Sequence, residues 1–295
     1  MGHLSDEVAS QPDLWLRGVE TASEQSALLP PTGARVAFIG CGTSWHVAES
    51  VAAYREAQGL GESDGFNASE MPRGRRYDVV VAISRSGQTT EVLDALREQP
   101  DGTRKLAITA VEGGPIGEVV DGRVELPWAD EQAVGQTRFA TTVLAMLLGS
   151  YGWDVAGSAK HAREVLGMGP MTKLFDATKF VFCGRGPALG MAREAALKMS
   201  ETLGICAEAY PTREIRHGPI AGLNRKSVVW VLDAAERSIN MLVQEPAAQL
   251  VRGSGDPLSE LVRIQHTIVQ MAEQRGVNPD APPYRFRSVE LLIEY

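Results

Sequence analysis

Twice along this chain a short β-branched run ends in Gly-x-Gly and passes straight into a long helical pattern. Val36-Ala37-Phe38-Ile39 leads through Gly40-Cys41-Gly42 to a predicted helix over 45–56. Lys179-Phe180-Val181-Phe182-Cys183 leads through Gly184-Arg185-Gly186 to one over 188–203. A strand that feeds a helix through a glycine turn is the repeating unit of an open parallel sheet. The continuous apolar runs at 35–39, 78–83, 105–109 and 227–232 fit strands covered on both faces. Further helices are predicted over 90–97, 136–150 and 257–274. The two Gly-x-Gly pairs lie 144 residues apart, about the length of one α/β domain. The expected fold is therefore α/β, with two similar subdomains. Each is a parallel-sheet αβα sandwich, a three-layer arrangement of the flavodoxin-like or Rossmann-like kind. The expected division is a helical arm over 1–25, a first subdomain over 26–160, a second over 161–280 and a tail over 281–295. The join is placed around 157–172; a single longer sheet is the alternative.

Charge narrows the partners. The 29 basic and 37 acidic side chains give a net charge of −8, whereas nucleic-acid binding needs a basic stripe. The one basic cluster, Arg73-Gly74-Arg75-Arg76, is short. Cys41, Cys183 and Cys206 are odd in number and widely spaced, which points to a reducing compartment without a disulfide framework. Lying in predicted strands or tight loops, they are expected in the core. Residues 1–7 lack the basic and apolar regions of a signal peptide, and the apolar stretch 143–148 is too short to span a bilayer. A soluble, cytoplasmic protein is expected, with neither nucleic acid nor membrane as partner. No metal-ligand spacing is visible, and neither metal nor cofactor is expected.

Two strand-to-helix loops of the first half carry hydroxyls at positions where open sheets bind ligands. These are Gly40-Cys41-Gly42-Thr43-Ser44 and Ser84-Arg85-Ser86-Gly87-Gln88-Thr89-Thr90. Backbone N–H groups at helix starts and Ser/Thr hydroxyls make a phosphate cradle that needs little net positive charge. Either loop alone reads equally as an ordinary helix cap. Trp45 and Leu189 stand where the third glycine of a dinucleotide fingerprint belongs, and there is no Gly-Lys-Ser/Thr P-loop. In the second half, Gly184-Arg185-Gly186-Pro187 has no hydroxyl. On the helix that follows it, Glu194, Lys198 and Glu201 form a charged stripe opposite Leu189, Ala192, Ala196, Met199 and Leu203. By periodicity alone such a stripe faces water. His217 would similarly be an ordinary loop histidine. His3, His46, His161 and His266 are not assigned catalytic roles.

Taken together, residues 38–44 and 82–89 resemble the two sugar-phosphate loops of the sugar isomerase (SIS) domain family. Glu194-Ala195-Ala196-Leu197-Lys198-Met199-Ser200-Glu201, Ala207-Glu208-Ala209-Tyr210-Pro211 and Arg216-His217-Gly218-Pro219 resemble the second repeat of its double-SIS members, glucosamine-6-phosphate synthase and its relatives. The resemblance implies a sugar phosphate as ligand. It assigns Thr43, Ser44, Ser84, Arg85, Ser86 and Thr89 to the phosphate. Glu201 becomes the base that moves a proton between C1 and C2, with Lys198 near the sugar hydroxyls. His217 is implied in ring opening from the partner subunit of a homodimer. Segment 131–137, with Val134 and Gln136, is implied to line the sugar pocket. Chemistry agrees: aldose–ketose interconversion needs a carboxylate or imidazole over C1/C2, and residues at i and i+3 share a helix face.

Two departures narrow the expected activity. Gly2 stands where the synthase's glutamine-hydrolysing domain would present a nucleophilic Cys, so a glutaminase is not expected. Arg287 aligns with the family's Schiff-base lysine, and a guanidinium is no nucleophile at neutral pH. Arg287 is kept as a sugar-pocket residue able to bind an oxyanion. The expected reaction is glucosamine 6-phosphate to fructose 6-phosphate plus ammonia. The alternatives are a plain phosphosugar isomerase, a synthase-like enzyme without glutaminase, and a non-catalytic sugar-phosphate-binding regulator.

Overall fold

Strands form where β-branched residues run continuously, and the computed structural model, which describes residues 2–234 and 237–281, arranges them in two parallel sheets. A long amphipathic helix α1 (His3–Glu24) precedes β1 (Val36–Gly40), α2 (Thr43–Ala57), β2 (Ser63–Asn67), β3 (Val79–Ile83), α3 (Thr90–Arg97), β4 (Arg104–Thr109) and β5 (Gly122–Glu125). Helices α4 (Arg138–Ser150) and α5 (Val155–Leu166) lead to the second half. That half holds β6 (Lys179–Gly184), α6 (Pro187–Leu203), β7 (Cys206–Pro211), β8 (Ser227–Val231), α7 (Arg237–Gln244), β9 (Gln249–Arg252) and α8 (Pro257–Arg275). The strand orders are β2-β1-β3-β4-β5 and β7-β6-β8-β9. These are the same doubly wound order, the second having one edge strand fewer among the described residues. The expected pair of α/β sandwiches is present, and the single longer sheet is not.

The glycine pairs do the same work in both halves. A Cβ on Gly40 would lie 2.7 Å from the Ser44 Cβ, and one on Gly184 would lie 2.3 Å from the Ala188 carbonyl oxygen. Gly42 and Gly186 hold φ of 54° and 53° at the two helix starts, a region that L side chains avoid. The halves then meet helix to helix. Gly190 of α6 has no room for a side chain, because its Cβ would lie 2.3 Å from Ser50 Oγ and 2.5 Å from the His46 carbonyl of α2.

The core centres on fully buried Phe38, Ile83, Phe139, Phe180 and Trp230. A buried polar chain ties α1 to α4 and α8. Trp15 Nε1 donates to Thr141 Oγ1 (3.0 Å), Thr141 Oγ1 to Gln11 Oε1 (2.6 Å), and Gln11 Nε2 to Gln265 Oε1 (2.8 Å). Such bonds are directional, so they fix the register of the arm as apolar contact alone would not.

Four findings add to or correct the expectations for the outer parts of the fold. The edge strands β2, β5, β7 and β9 are half-exposed, and this weakens the apolar signal that marks the central strands. The stretch from 233 to 256 contains α7 and β9, for which no helix or strand was predicted. The expected join holds α5, which packs on α1 and α8 and runs through the 160/161 boundary. Of the three cysteines, Cys183 is buried, Cys41 is half-buried and Cys206 is exposed. The last two sit in a loop and at the start of an edge strand, outside the core. No described helix is long and apolar enough to cross a membrane.

Candidate active site

The charged stripe of α6 is not solvated. Lys198 and Glu194 are buried, and the Glu201 side chain is only 6% exposed. The Lys198 ammonium lies 2.5 Å from Glu201 Oε1 and 3.2 Å from Glu194 Oε1. It also donates to Thr43 Oγ1 at 3.1 Å. That last bond joins the second half to the first turn of α2, beside the β1 loop. Both expected phosphate loops follow β1 and β3, the neighbours at which the strand order reverses, and a doubly wound sheet has its natural crevice there.

Thr43 and Ser44 are buried in the first turn of α2. In the β3 loop, Ser84 Oγ and Thr89 Oγ1 are 3.2 Å apart, and Ser86 Oγ accepts from the Gln88 N–H at 3.3 Å. Arg85 points elsewhere. Its Nη1 donates to Asp130 Oδ1 (2.6 Å) and to the Glu131 carbonyl (3.1 Å). It therefore clamps the β3 loop to segment 130–137, and its charge is already committed to Asp130.

Segment 131–137 closes over the α6 charges. A Cβ on Gly135 would lie 3.3 Å from Glu201 Oε1. Two buried carboxylates hold this segment in place. Glu131 Oε2 accepts from the Thr137 N–H (2.6 Å), and Glu131 Oε1 accepts from the Phe139 N–H (2.7 Å). Glu7 Oε1, from α1, accepts from the N–H groups of Gln132 (2.6 Å) and Ala133 (3.3 Å). Val134 donates its N–H to the Asp280 carbonyl at 3.3 Å, while the Asp280 carboxylate caps α1 through the His3 and Leu4 N–H groups. Gln136 Oε1 is buried and has no hydrogen-bond partner among the described residues.

Sequence reasoning missed Glu7 and Asp280. Glu7 had a signal: it shares the α1 face of Leu4, Val8, Gln11 and Trp15, where a carboxylate must find donors. Asp280 had none, because its role is set by α1 and the stretch after α8 meeting in space. His217 is exposed and accepts from Arg216 Nε at 3.1 Å; within the single chain it is not brought to Lys198 and Glu201. Arg287 lies outside the described residues.

Residues 32–150 and 173–252 match the SIS domain. The chain belongs to the SIS domain family. Among curated SIS relatives, the glutamine–fructose-6-phosphate aminotransferase (isomerizing) of Aeropyrum pernix is 31% identical over 94% of this chain, and that of Gloeobacter violaceus is 28% identical over 86%. The chain covers 55% and 51% of those proteins, about half their length. Among solved structures, glucosamine-6-phosphate deaminase from Thermotoga maritima superposes with a TM-score of 0.83 at 24% identity, covering 97% of this chain and 99% of that one. The C-terminal domain of glucosamine-fructose-6-phosphate aminotransferase from Francisella tularensis gives 0.77 at 20%, covering 95% and 98%. These superpositions establish the SIS fold for the whole described chain.

Burial pushes the Glu131 carboxyl up to about 7, against the bonds from Thr137 and Phe139 and the charge of Lys198; Glu7 is raised by the same cause. A carboxyl raised in the folded state binds its proton over a range where the unfolded chain has released it. Stability from Glu131 is thus fullest below about 4.5 and is lost as pH rises toward about 7. In Glu131→Gln, the fall in thermal unfolding temperature between pH 5 and pH 8 is expected to be shallower than in the parent. An unchanged slope, followed by circular dichroism, contradicts this assignment.

Proposed function

We propose that this chain acts on a hexose 6-phosphate, converting glucosamine 6-phosphate to fructose 6-phosphate and ammonia. The observation that carries the reading is the buried Lys198–Glu201 pair hydrogen-bonded to Thr43 beside two hydroxyl-bearing loops. A buried ion pair adds little net stability over well-packed apolar residues, whereas removing one partner costs about 3–5 kcal/mol. Such a pair in a crevice therefore fits a site better than a scaffold. Family membership supports sugar-phosphate chemistry in general, and the named activities of the relatives suggest this substrate class. Arg287, standing where the family's imine-forming lysine is expected, disfavours covalent synthase-type catalysis.

In this reading Ser84, Ser86, Thr89, Thr43 and Ser44 hold the phosphate through hydroxyls and helix-start N–H groups. Segment 131–137 lines the sugar, with the Val134 backbone and Gln136 Oε1 facing its hydroxyls. Once the ring has opened, the Glu201 carboxylate takes the proton from C2 and returns it to C1. The charge that builds on the substrate oxygen in between is stabilised by the Lys198 ammonium. C2 is left as an imine. Water adds to that carbon, ammonia departs, and the ketose remains. His217, exposed in its own subunit, would open the ring in the site of a second copy, making the working unit a homodimer.

Purified protein is expected to release ammonia from glucosamine 6-phosphate, and Glu201→Gln to lower kcat by about 10²–10⁴-fold with little change in KM. No release from the parent, or a Glu201→Gln variant equal to it, refutes the reading. Isomerisation of a hexose 6-phosphate without ammonia release would favour the plain isomerase. Tight binding with zero turnover would favour the regulator. Mixing inactive Glu201→Gln and His217→Ala subunits should restore part of the activity if sites are shared. Absence of any rescue contradicts the shared site.

A further inference from the structure

Arg85 stands inside the β3 loop, yet its side chain leaves that loop. Only 14% of the side chain is exposed, and its Nη1 donates to both Asp130 Oδ1 (2.6 Å) and the Glu131 carbonyl (3.1 Å). The first is a short, charge-assisted bond, which belongs to the stronger class of hydrogen bond. Arg138 Nε, from α4, donates to the Asp130 carbonyl at 2.7 Å. Residues 130 and 131 are thus gripped by two guanidiniums, one from the loop and one from α4.

The grip is connected at both ends. On the loop side, Arg85 lies between Ser84 and Ser86, two of the hydroxyls assigned to the phosphate. The Arg85 carbonyl accepts from the Ala110 N–H (3.0 Å) and the Gly87 carbonyl from the Ile116 N–H (3.2 Å), which braces the loop on the stretch after β4. On the other side, the Glu131 carboxylate takes the Thr137 and Phe139 N–H groups and so fixes the far end of segment 131–137. Within that segment Gly135 lies against Glu201, since a Cβ there would be 3.3 Å from Oε1. Bonded groups therefore run without a break from the loop hydroxyls to the backbone over Glu201. An anion that fixes Ser84 and Ser86 also fixes the backbone from which the Arg85 side chain extends.

We propose that Arg85 is a positioning residue, which transmits occupancy of the β3 loop by a phosphate group to segment 131–137. When the loop is filled, the segment is held more tightly over Glu201. Ordering on binding can couple two places without any large change of shape, and the coupling is reciprocal. The inference rests on the reading of the β3 loop as a phosphate cradle. It adds that Arg85 acts through Asp130 and Glu131 rather than on the phosphate itself. A sugar without the phosphate gains no such ordering, so it loses turnover as well as affinity.

The test follows amide hydrogen exchange of the full chain by mass spectrometry, with and without saturating inorganic phosphate at matched ionic strength. In the parent, phosphate should slow exchange over 84–90, and over 131–137 by about fivefold, while leaving β6 unchanged. In Arg85→Met the effect over 84–90 should remain and the effect over 131–137 should disappear. Asp130→Ala, at a half-exposed position, should at least halve the effect over 131–137, and it carries the test should Arg85→Met fail to fold. The quantity read is the change caused by phosphate, which a general loosening of the segment would not remove. Slowing over 84–90 without any over 131–137 in the parent, or an equal effect over 131–137 in the variants, overturns this inference alone. Loss of the effect over 84–90 in Arg85→Met makes Arg85 a direct phosphate ligand and also overturns it. No slowing over 84–90 in the parent overturns the phosphate cradle and the inference with it.

Discussion

The buried ammonium of Lys198 is the constraint around which the rest of the site is organised. A lysine this deep in a protein must have its charge met on all sides. Here Glu194 and Glu201 come from its own helix, and Thr43 comes from the other half of the molecule. That single requirement fixes the rotation of α6, brings it against the start of α2, and leaves Gly190 as the residue that permits the approach. The same helix pairing sets Glu201 beneath segment 131–137. Replacement by apolar residues would pack as well. The retention of three ionisable side chains in the core therefore supports the proposed site.

The two sheets share one winding order but divide the labour. The two loops with clustered hydroxyls follow β1 and β3. The second sheet supplies α6 and its charges and leaves its own glycine loop, Gly184-Arg185-Gly186-Pro187, without hydroxyls. Between them runs the 131–137 segment, which belongs to neither sheet. It is held by Glu7 of the arm, by Arg85 of the β3 loop and by Asp280 near the end of the described residues. This segment is therefore held jointly by α1, the β3 loop and the stretch after α8. This explains why α1, remote in sequence from every candidate functional residue, is bound so firmly to α4.

Much of this was legible in the sequence, for physical reasons that differ from residue to residue. Central strands such as 78–83 announce themselves because burial on both faces demands continuous apolar character. Edge strands such as Ser63–Asn67 do not, because water covers part of them. The glycine pairs were readable because backbone geometry leaves no substitute. The α6 stripe pointed the other way. Periodicity alone put Glu194, Lys198 and Glu201 in solvent, since a helix pattern cannot reveal that a second α/β unit will cover its polar face. The family resemblance corrected that. Arg85 shows the reverse case: a cation in an expected phosphate loop reads as a phosphate ligand, whereas in this structure it pairs with Asp130, distant in sequence. Cys206 was expected in the core because small thiols usually go there, yet it opens an exposed edge strand.

The central claim is that Glu201, held by Lys198, moves a proton between C1 and C2 of a bound hexose 6-phosphate. It is tested most directly by incubating the protein with fructose 6-phosphate in deuterium oxide and following the C1 protons by NMR. The account predicts enzyme-dependent deuterium uptake at one C1 position, lost in Glu201→Gln while the sugar phosphate still binds. Uptake that persists undiminished in Glu201→Gln, or that never occurs in the parent despite binding, would contradict it.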